Sequence, residues 1–177
     1  MESLLLNSQK RPGLSCPFAN AAWIMSDMHT PSDGFAATDS FAFVAEVPVR
    51  WSDMDAFGHI NHARMVTLME EARVEWLLSA GEQYAPLIKS AMIVTVEIRY
   101  QAQLRHEDSP LRISMWIKGF RSVDFTIGYE VRSAHAAAGS KPACVASTQM
   151  AVVDVEKQSL RRLTDVEKGY LEQWSRS

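Results

Sequence analysis

From Ser40 to Arg50 the apolar side chains Phe41, Phe43, Ala45, Val47 and Val49 fall on alternate positions. That is the two-residue period of a strand burying one face. Pro48 has no N–H to give to a ladder, so it predicts an edge or irregular place in that strand. Beyond Asn61 the period changes. Met65, Leu68, Met69, Ala72 and Trp76 recur at helical spacing, Leu77 widens the stripe, and Glu70 and Arg73 are assigned to the polar face. Asn61 can cap this helix through its side-chain oxygen, and the residues that follow are mostly good helix formers, so a helix is predicted to about Ser79. Gly81 is placed to end it in a left-handed conformation, and Pro86 marks a loop.

The second half alternates again. Val94, Val96, Ile98, Tyr100, Ala102 and Leu104 form one set, Leu111, Ile113, Met115 and Ile117 another, and Val123, Phe125, Ile127, Tyr129 and Val131 a third. Each reads as a half-buried strand. Ala143 to Val155 is apolar on both faces, which leaves its register open. Turn-forming runs at 107–110, 119–122 and 138–142 separate these segments, and such short links favour antiparallel neighbours. Thr164 to Trp174 reads as a short amphipathic helix. A helix with one apolar stripe and a sheet with one apolar face bury each other. The expected fold is therefore α+β, a five-stranded antiparallel sheet wrapped around one long central helix. The domain spans 40–165, with a short helix or tail at 166–177. Residues 1–39 lack either period and gather prolines, serines and asparagines, as a flexible leader does. A short helix at 19–25 fits within it, and Met25 or Met28 is a candidate translation start.

Composition narrows the function classes. A chain of 177 residues can bury roughly 70% of its unfolded surface, enough for one real core. A net charge of -3 gives no general drive toward nucleic acid, although a local basic patch could hold a phosphorylated ligand. Cys16 and Cys144 supply neither a disulfide framework nor a paired-cysteine metal site, which suggests a cytoplasmic setting. No apolar run approaches the roughly 20 residues of a membrane helix, and Leu4-Leu5-Leu6 is too short for a signal peptide. No membrane role is expected. Phosphate-loop, dinucleotide and serine-hydrolase motifs are all missing.

The chemistry concentrates between strand and helix, in Asp53-Met54-Asp55-Ala56-Phe57-Gly58-His59-Ile60-Asn61-His62. An aspartate ahead of a helix is usually a cap or turn former, and that role suits Asp53. Asp55 can serve as a carboxylate nucleophile or general base. Backbone N–H groups at Asn61, His62 and Ala63 lack intrahelical partners and sit at the positive end of the dipole, so they are oxyanion-hole candidates. Gly58 lets the turn approach a ligand closely. His59 can orient substrate or bond the backbone, and Asn61 can cap the helix while orienting Asp55. The acids and histidines lack metal-ligand spacing, so neither metal nor cofactor is expected. Glu70 and Glu71 read as a solvated face beside Arg73 or Arg64.

Asp53 to Arg64, continued by Met69-Glu70-Glu71-Ala72-Arg73 and more loosely by Ile98-Arg99-Tyr100, Asp108-Ser109-Pro110-Leu111 and Arg121-Ser122, resembles the hotdog-fold acyl-CoA thioesterases of the 4-hydroxybenzoyl-CoA thioesterase family. The likeness covers roughly 41–165. It implies hydrolysis of an acyl-CoA substrate to free acid and coenzyme A, with Asp55 as the catalytic carboxylate. It also implies two protomers joined sheet edge to sheet edge with sites at their interface, as a homodimer or a homotetramer built as a dimer of dimers. On the residue reading above, Asn61 and His62, the latter through its backbone N–H, join Asp55 as catalytic candidates, and Gly58, His59, Arg121 and Ser122 are the substrate-binding candidates. Lys118, Arg121 and Arg132 are candidates for the coenzyme A phosphates. A non-catalytic acyl-CoA-binding module of the same fold is the alternative, and His59 leaves a dehydratase or hydratase as a third reading.

Overall fold

The structure is a computed structural model that describes residues 43–175. The expected leader, its helix at 19–25, Cys16 and the opening residues of the first strand lie outside the described residues.

Strand β1 (Phe43–Val47) buries Ala45 and Val47 and pairs with β3 (Leu111–Phe120), Val47 opposite Leu111. β3 pairs onward with β4 (Asp124–Ser133), β4 with β5 (Cys144–Asp154), and β5 with β2 (Ala91–Tyr100). The order is β1-β3-β4-β5-β2, antiparallel throughout, and a two-residue β6 (Ser159–Leu160) extends β5 beyond the five expected strands. Pro48 falls one residue past an edge strand, where no ladder bond is lost. Alternation holds in the middle of the sheet: Leu111, Ile113, Met115 and Ile117, and Phe125, Ile127, Tyr129 and Val131, are all buried. In β5, whose register the sequence leaves open, the inward set is Cys144, Ala146, Thr148, Met150 and Val152.

β2 departs from its expected pattern. It ends at Tyr100 rather than Leu104, and a bulge between Ile93 and Thr95 resets the alternation. Met92, Ile93, Val94 and Tyr100 are exposed, and the outer edge of the strand has no neighbour among the described residues.

Helix α1 (His62–Ser79) begins one residue after Asn61, whose Oδ1 accepts the Ala63 N–H at 2.9 Å. Met65, Leu68, Met69, Ala72, Trp76 and Leu77 are buried, packing against β1 and β3. Arg73, expected on the polar face, is only 5% exposed, and its Nη1 donates to the Tyr129 hydroxyl at 3.1 Å. Helical spacing puts Arg73 one turn beyond Met69, on the stripe; the polar assignment followed residue type over position. The Tyr129 bond offsets part of the cost of burying the guanidinium.

Gly81 has φ of 94° and turns the chain after α1. A loop was expected next, but the chain makes a 3-10 turn (Glu82–Tyr84) and a short helix α2 (Ala85–Ser90). Pro86 lies in the first turn of α2, where its missing N–H costs nothing. Helix α3 (Asp165–Gln173) is capped reciprocally by Thr164 and Glu167, and Arg161 pairs with Glu167 at 2.6 Å. α3 buries Tyr170 and Leu171, Tyr170 stacks on Trp76 with centroids 5.5 Å apart, and the Trp174 carbonyl accepts the Ile117 N–H at 2.8 Å. The C-terminal segment thus closes the core beneath α1.

On the outer face of β3 and β4, Trp116 lies opposite Gly128. A Cβ at 128 would meet the indole at 2.6 Å. Gly128→Ala should therefore lower stability by about 1–3 kcal/mol through overpacking, read as a reduced denaturant midpoint; an unchanged midpoint would show that the indole yields freely.

Candidate active site

The site is assembled by a turn in which aspartate oxygens take up most of the backbone donors. Arg50 leads from β1 into a single 3-10 turn, Trp51–Asp53. Asp53 is buried; its Oδ2 accepts the Arg50 N–H at 2.8 Å, and its carbonyl accepts the Asn61 N–H at 2.8 Å. Its carboxylate is thus engaged by backbone, the structural part assigned to it from sequence. Beyond it the chain closes on itself. Met54 bridges Ile60, the Asp55 N–H donates to the His59 carbonyl at 2.7 Å, and the Gly58 N–H donates to the Asp55 carbonyl at 3.1 Å. Gly58 sits at φ of 75° with open space where a Cβ would project. A side chain there would strain the left-handed backbone that this closure requires.

Asp55 is anchored at one oxygen. Its Oδ1 accepts N–H groups from Phe57 at 2.8 Å and His59 at 3.0 Å, and Oδ2 has no donor among the described residues. The His59 N–H lowers its pKa below the ordinary aspartate value; partial desolvation works against this, and the Phe57 N–H and the charge of His59 add to it. The result is a fixed, ionised carboxylate with one open oxygen.

The helix start has the complementary arrangement. Of the three N–H groups expected as oxyanion donors, Asn61 gives its own to Asp53 and Ala63 gives its own to the Asn61 side chain. The His62 N–H remains without an acceptor among the described residues, and so does that of Arg64 one residue past Ala63. Sequence reasoning had no means of telling which donors would be taken up. Two further bonds hold the helix start in place: the Tyr100 hydroxyl donates to the His62 carbonyl at 2.8 Å, and the Ile60 N–H donates to the Leu104 carbonyl at 2.8 Å. Arg50 reaches Glu71 at 2.9 Å and fastens the turn to the middle of α1. Tyr100 was read as a strand residue and as part of the looser family likeness at Ile98-Arg99-Tyr100, and neither reading marks its contact with the helix.

His59 donates its backbone N–H to Asp55, while its ring Nε2 is buried without a partner among the described residues. Glu71 is engaged by Arg50, and exposed Glu70 lies 3.6 Å from Arg73. Arg121 and Ser122 are not brought to Asp55 within one chain. They occupy the β3–β4 hairpin, at the opposite end of β3 from Leu111, about 30 Å away at strand rise. There Arg121 donates twice to Asp124, and the Ser122 carbonyl accepts the Leu163 N–H. Arg132 is likewise engaged, by Glu130 and the Ser140 carbonyl. Among the described residues no group of three or more His, Cys, Asp or Glu could hold a metal ion, and no helix is long and apolar enough to cross a membrane.

An antiparallel sheet in the order found, packed on one long helix that starts at an acidic glycine turn, defines an α+β protein of the hotdog class. The model of the Thioesterase-like superfamily matches residues 49–173, and the chain belongs to that superfamily. No curated protein matches. Among solved structures, a thioesterase superfamily protein from Jannaschia sp. CCS1 is similar at 15% identity, covering 78% of this chain and 96% of its own, with a TM-score of 0.64. A thioesterase from Thermus thermophilus, complexed with coenzyme A and Zn, is similar at 15% identity over 74% of this chain and 92% of its own, TM-score 0.62. The DHNA-CoA thioesterase of Staphylococcus aureus is similar at 18% identity over 75% and 88%, TM-score 0.61.

Asn61 caps α1 and leaves His62 as an open donor. Asn61→Ala should cost about 1 kcal/mol of stability as a lost cap, and chemical denaturation checks this; a loss well above about 2 kcal/mol would mean that Asn61 supports more than the helix end.

Proposed function

We propose that this protein hydrolyses an acyl-CoA thioester to a free acid and coenzyme A, using Asp55 as the reacting carboxylate. The observation that carries the reading is the pairing of an ionised, one-sided Asp55 with the two unclaimed N–H groups at the start of α1. A thioester carbonyl at the helix start would place its developing oxyanion on the His62 N–H, aided by the helix dipole. Oδ2 then attacks the carbonyl carbon, the C–S bond breaks, and the thiolate departs and takes up a proton. Water cleaves the resulting anhydride, giving the acid and restoring the carboxylate. A carboxylate held ionised can also act as a general base on water, and both routes lead to the same acid and coenzyme A.

Within the superfamily we assign the chain to the 4-hydroxybenzoyl-CoA thioesterase type, on the strength of the motif from Asp53 to Arg64. The open edge of β2, with Met92, Ile93 and Val94 exposed, supports pairing with the β2 of a second copy. Antiparallel pairing there sets the Ala91 end of one β2 against the Tyr100 end of the other. Arg121 and Ser122 enter this reading only through that arrangement, since their hairpin lies at the Ala91 end of the sheet. A cytoplasmic location rests on cysteine usage alone.

Thiol release from a panel of acyl-CoAs tests the chemistry. Asp55→Asn and Asp55→Ala should each lower turnover by about 10²-fold or more. Asn can still accept both backbone bonds through its amide oxygen, so its folded state is checked by circular dichroism. Equal turnover in all three proteins would reject Asp55. Intact acyl-CoA bound tightly by the parent protein would instead favour the binding module.

The pH profile should follow the depressed pKa. The active form is ionised, so activity persists as pH falls past the ordinary aspartate range and is lost only as pH passes through the lower value. An acid limb above that range would contradict the geometry at Oδ1.

Val94→Lys, which places a charge on the open edge, should weaken self-association at least about tenfold by analytical ultracentrifugation. A parent protein that sediments as a monomer would remove the edge-pairing argument.

A further inference from the structure

The chain builds a second turn on the plan of the one beneath the site. Arg50-Trp51-Ser52-Asp53 and Arg105-His106-Glu107-Asp108 are both 3-10 turns, and in each the aspartate Oδ2 accepts the N–H of its leading arginine, at 2.8 and 2.7 Å. The aromatic residues of the two turns meet. The Trp51 and His106 rings stack with centroids 4.9 Å apart and planes inclined by 16°. One indole face is taken up in this way, yet Trp51 remains 78% exposed, so the other face is open. The stack does little to bury Trp51; it holds the ring in one orientation on two rigid turns.

Arg105, next to His106, is exposed, and its guanidinium has no acceptor among the described residues. Arg50, Arg121 and Arg132 differ: Arg50 is engaged by Glu71, Arg121 by Asp124 and Arg132 by Glu130. A fixed aromatic face, whose stacking partner His106 is flanked in sequence by an arginine with an unengaged guanidinium, suits a purine that stacks and a phosphate that takes charged hydrogen bonds. An aliphatic or aryl group would use the ring but would have no need of Arg105.

We propose that Trp51 and Arg105 form a nucleotide subsite, with adenine on the open indole face and the 3′-phosphate of coenzyme A at Arg105. The assignment rests on the acyl-CoA reading. Trp51 precedes Asp55 by four residues, at most about 14 Å of chain, so one folded ligand can present its thioester to Asp55 and its base to Trp51.

Calorimetry with adenosine 3′,5′-bisphosphate tests the subsite without hydrolysis. The parent protein should bind it saturably, and Trp51→Ala should weaken binding about tenfold or more. Arg105→Gln should abolish the preference for the bisphosphate over adenosine 5′-monophosphate. With acyl-CoA as substrate, Trp51→Ala should raise KM about tenfold at unchanged kcat, and with the corresponding acyl-pantetheine neither constant should move. Bisphosphate binding in a protein that cleaves no thioester would uphold the subsite while removing the hydrolase reading. No saturable bisphosphate binding by the parent, unchanged affinity in both variants, or an equal rise in KM for acyl-pantetheine would each overturn the subsite.

Discussion

The site depends on how the donors and acceptors of one turn are shared out. Between β1 and α1 the chain reverses through a short loop whose N–H groups cannot be left unpaired without cost. Asp53 and Asp55 supply most of the acceptors. Asp53 gives its carboxylate to Arg50 and its carbonyl to Asn61; Asp55 gives one carboxylate oxygen to Phe57 and His59. At the start of α1 the N–H groups of His62 and Arg64 remain over, as does one Asp55 oxygen in the turn, among the described residues. Chemical capacity here is the remainder after structural demand has been met.

That division could not be read from sequence, although its ingredients could. The helix from its Asn61 cap to Ser79, the inward sets of β3 and β4, and the left-handed turn at Gly81 all follow from period and residue type, because local propensity and burial agree there. Asp55 stood out through its motif. The ownership of each N–H did not, since Asn61 and Ala63 are engaged by groups whose reach depends on loop closure. Arg73 was misplaced because its charge outweighed its helical position, and its buried partner Tyr129 lies fifty-six residues away. Tyr100 and Leu104 meet the helix start through equally non-local contacts. The two R-x-x-D turns were visible as residues, but only the stacking of Trp51 on His106 makes them one feature.

The sheet explains why Arg121 and Ser122 read as site residues yet stand apart. β3 runs from the turn at one end to the hairpin at the other, so residues on one strand can belong to opposite ends of the molecule. β2 has the reverse character. Its Tyr100 end touches the helix start, while its apolar flank faces outward with no strand beside it among the described residues. The half-buried strand pattern stays exposed here because the edge is unpaired within the chain, and the bulge between Ile93 and Thr95 gives that edge its local twist.

For Asp55 the structural role and the proposed chemical one are two halves of one carboxylate. The bonds at Oδ1 are those of an ordinary turn aspartate, and taken alone they would explain the residue fully. The same bonds hold the group ionised and keep Oδ2 turned away from the backbone, so removing the turn role would also remove the chemical one. A substitution that deletes the side chain therefore confounds the two. Asn keeps an oxygen for the Phe57 and His59 N–H groups and removes only the charge. The comparison of Asn with Ala at this one position separates a carboxylate that shapes the loop from one that also reacts.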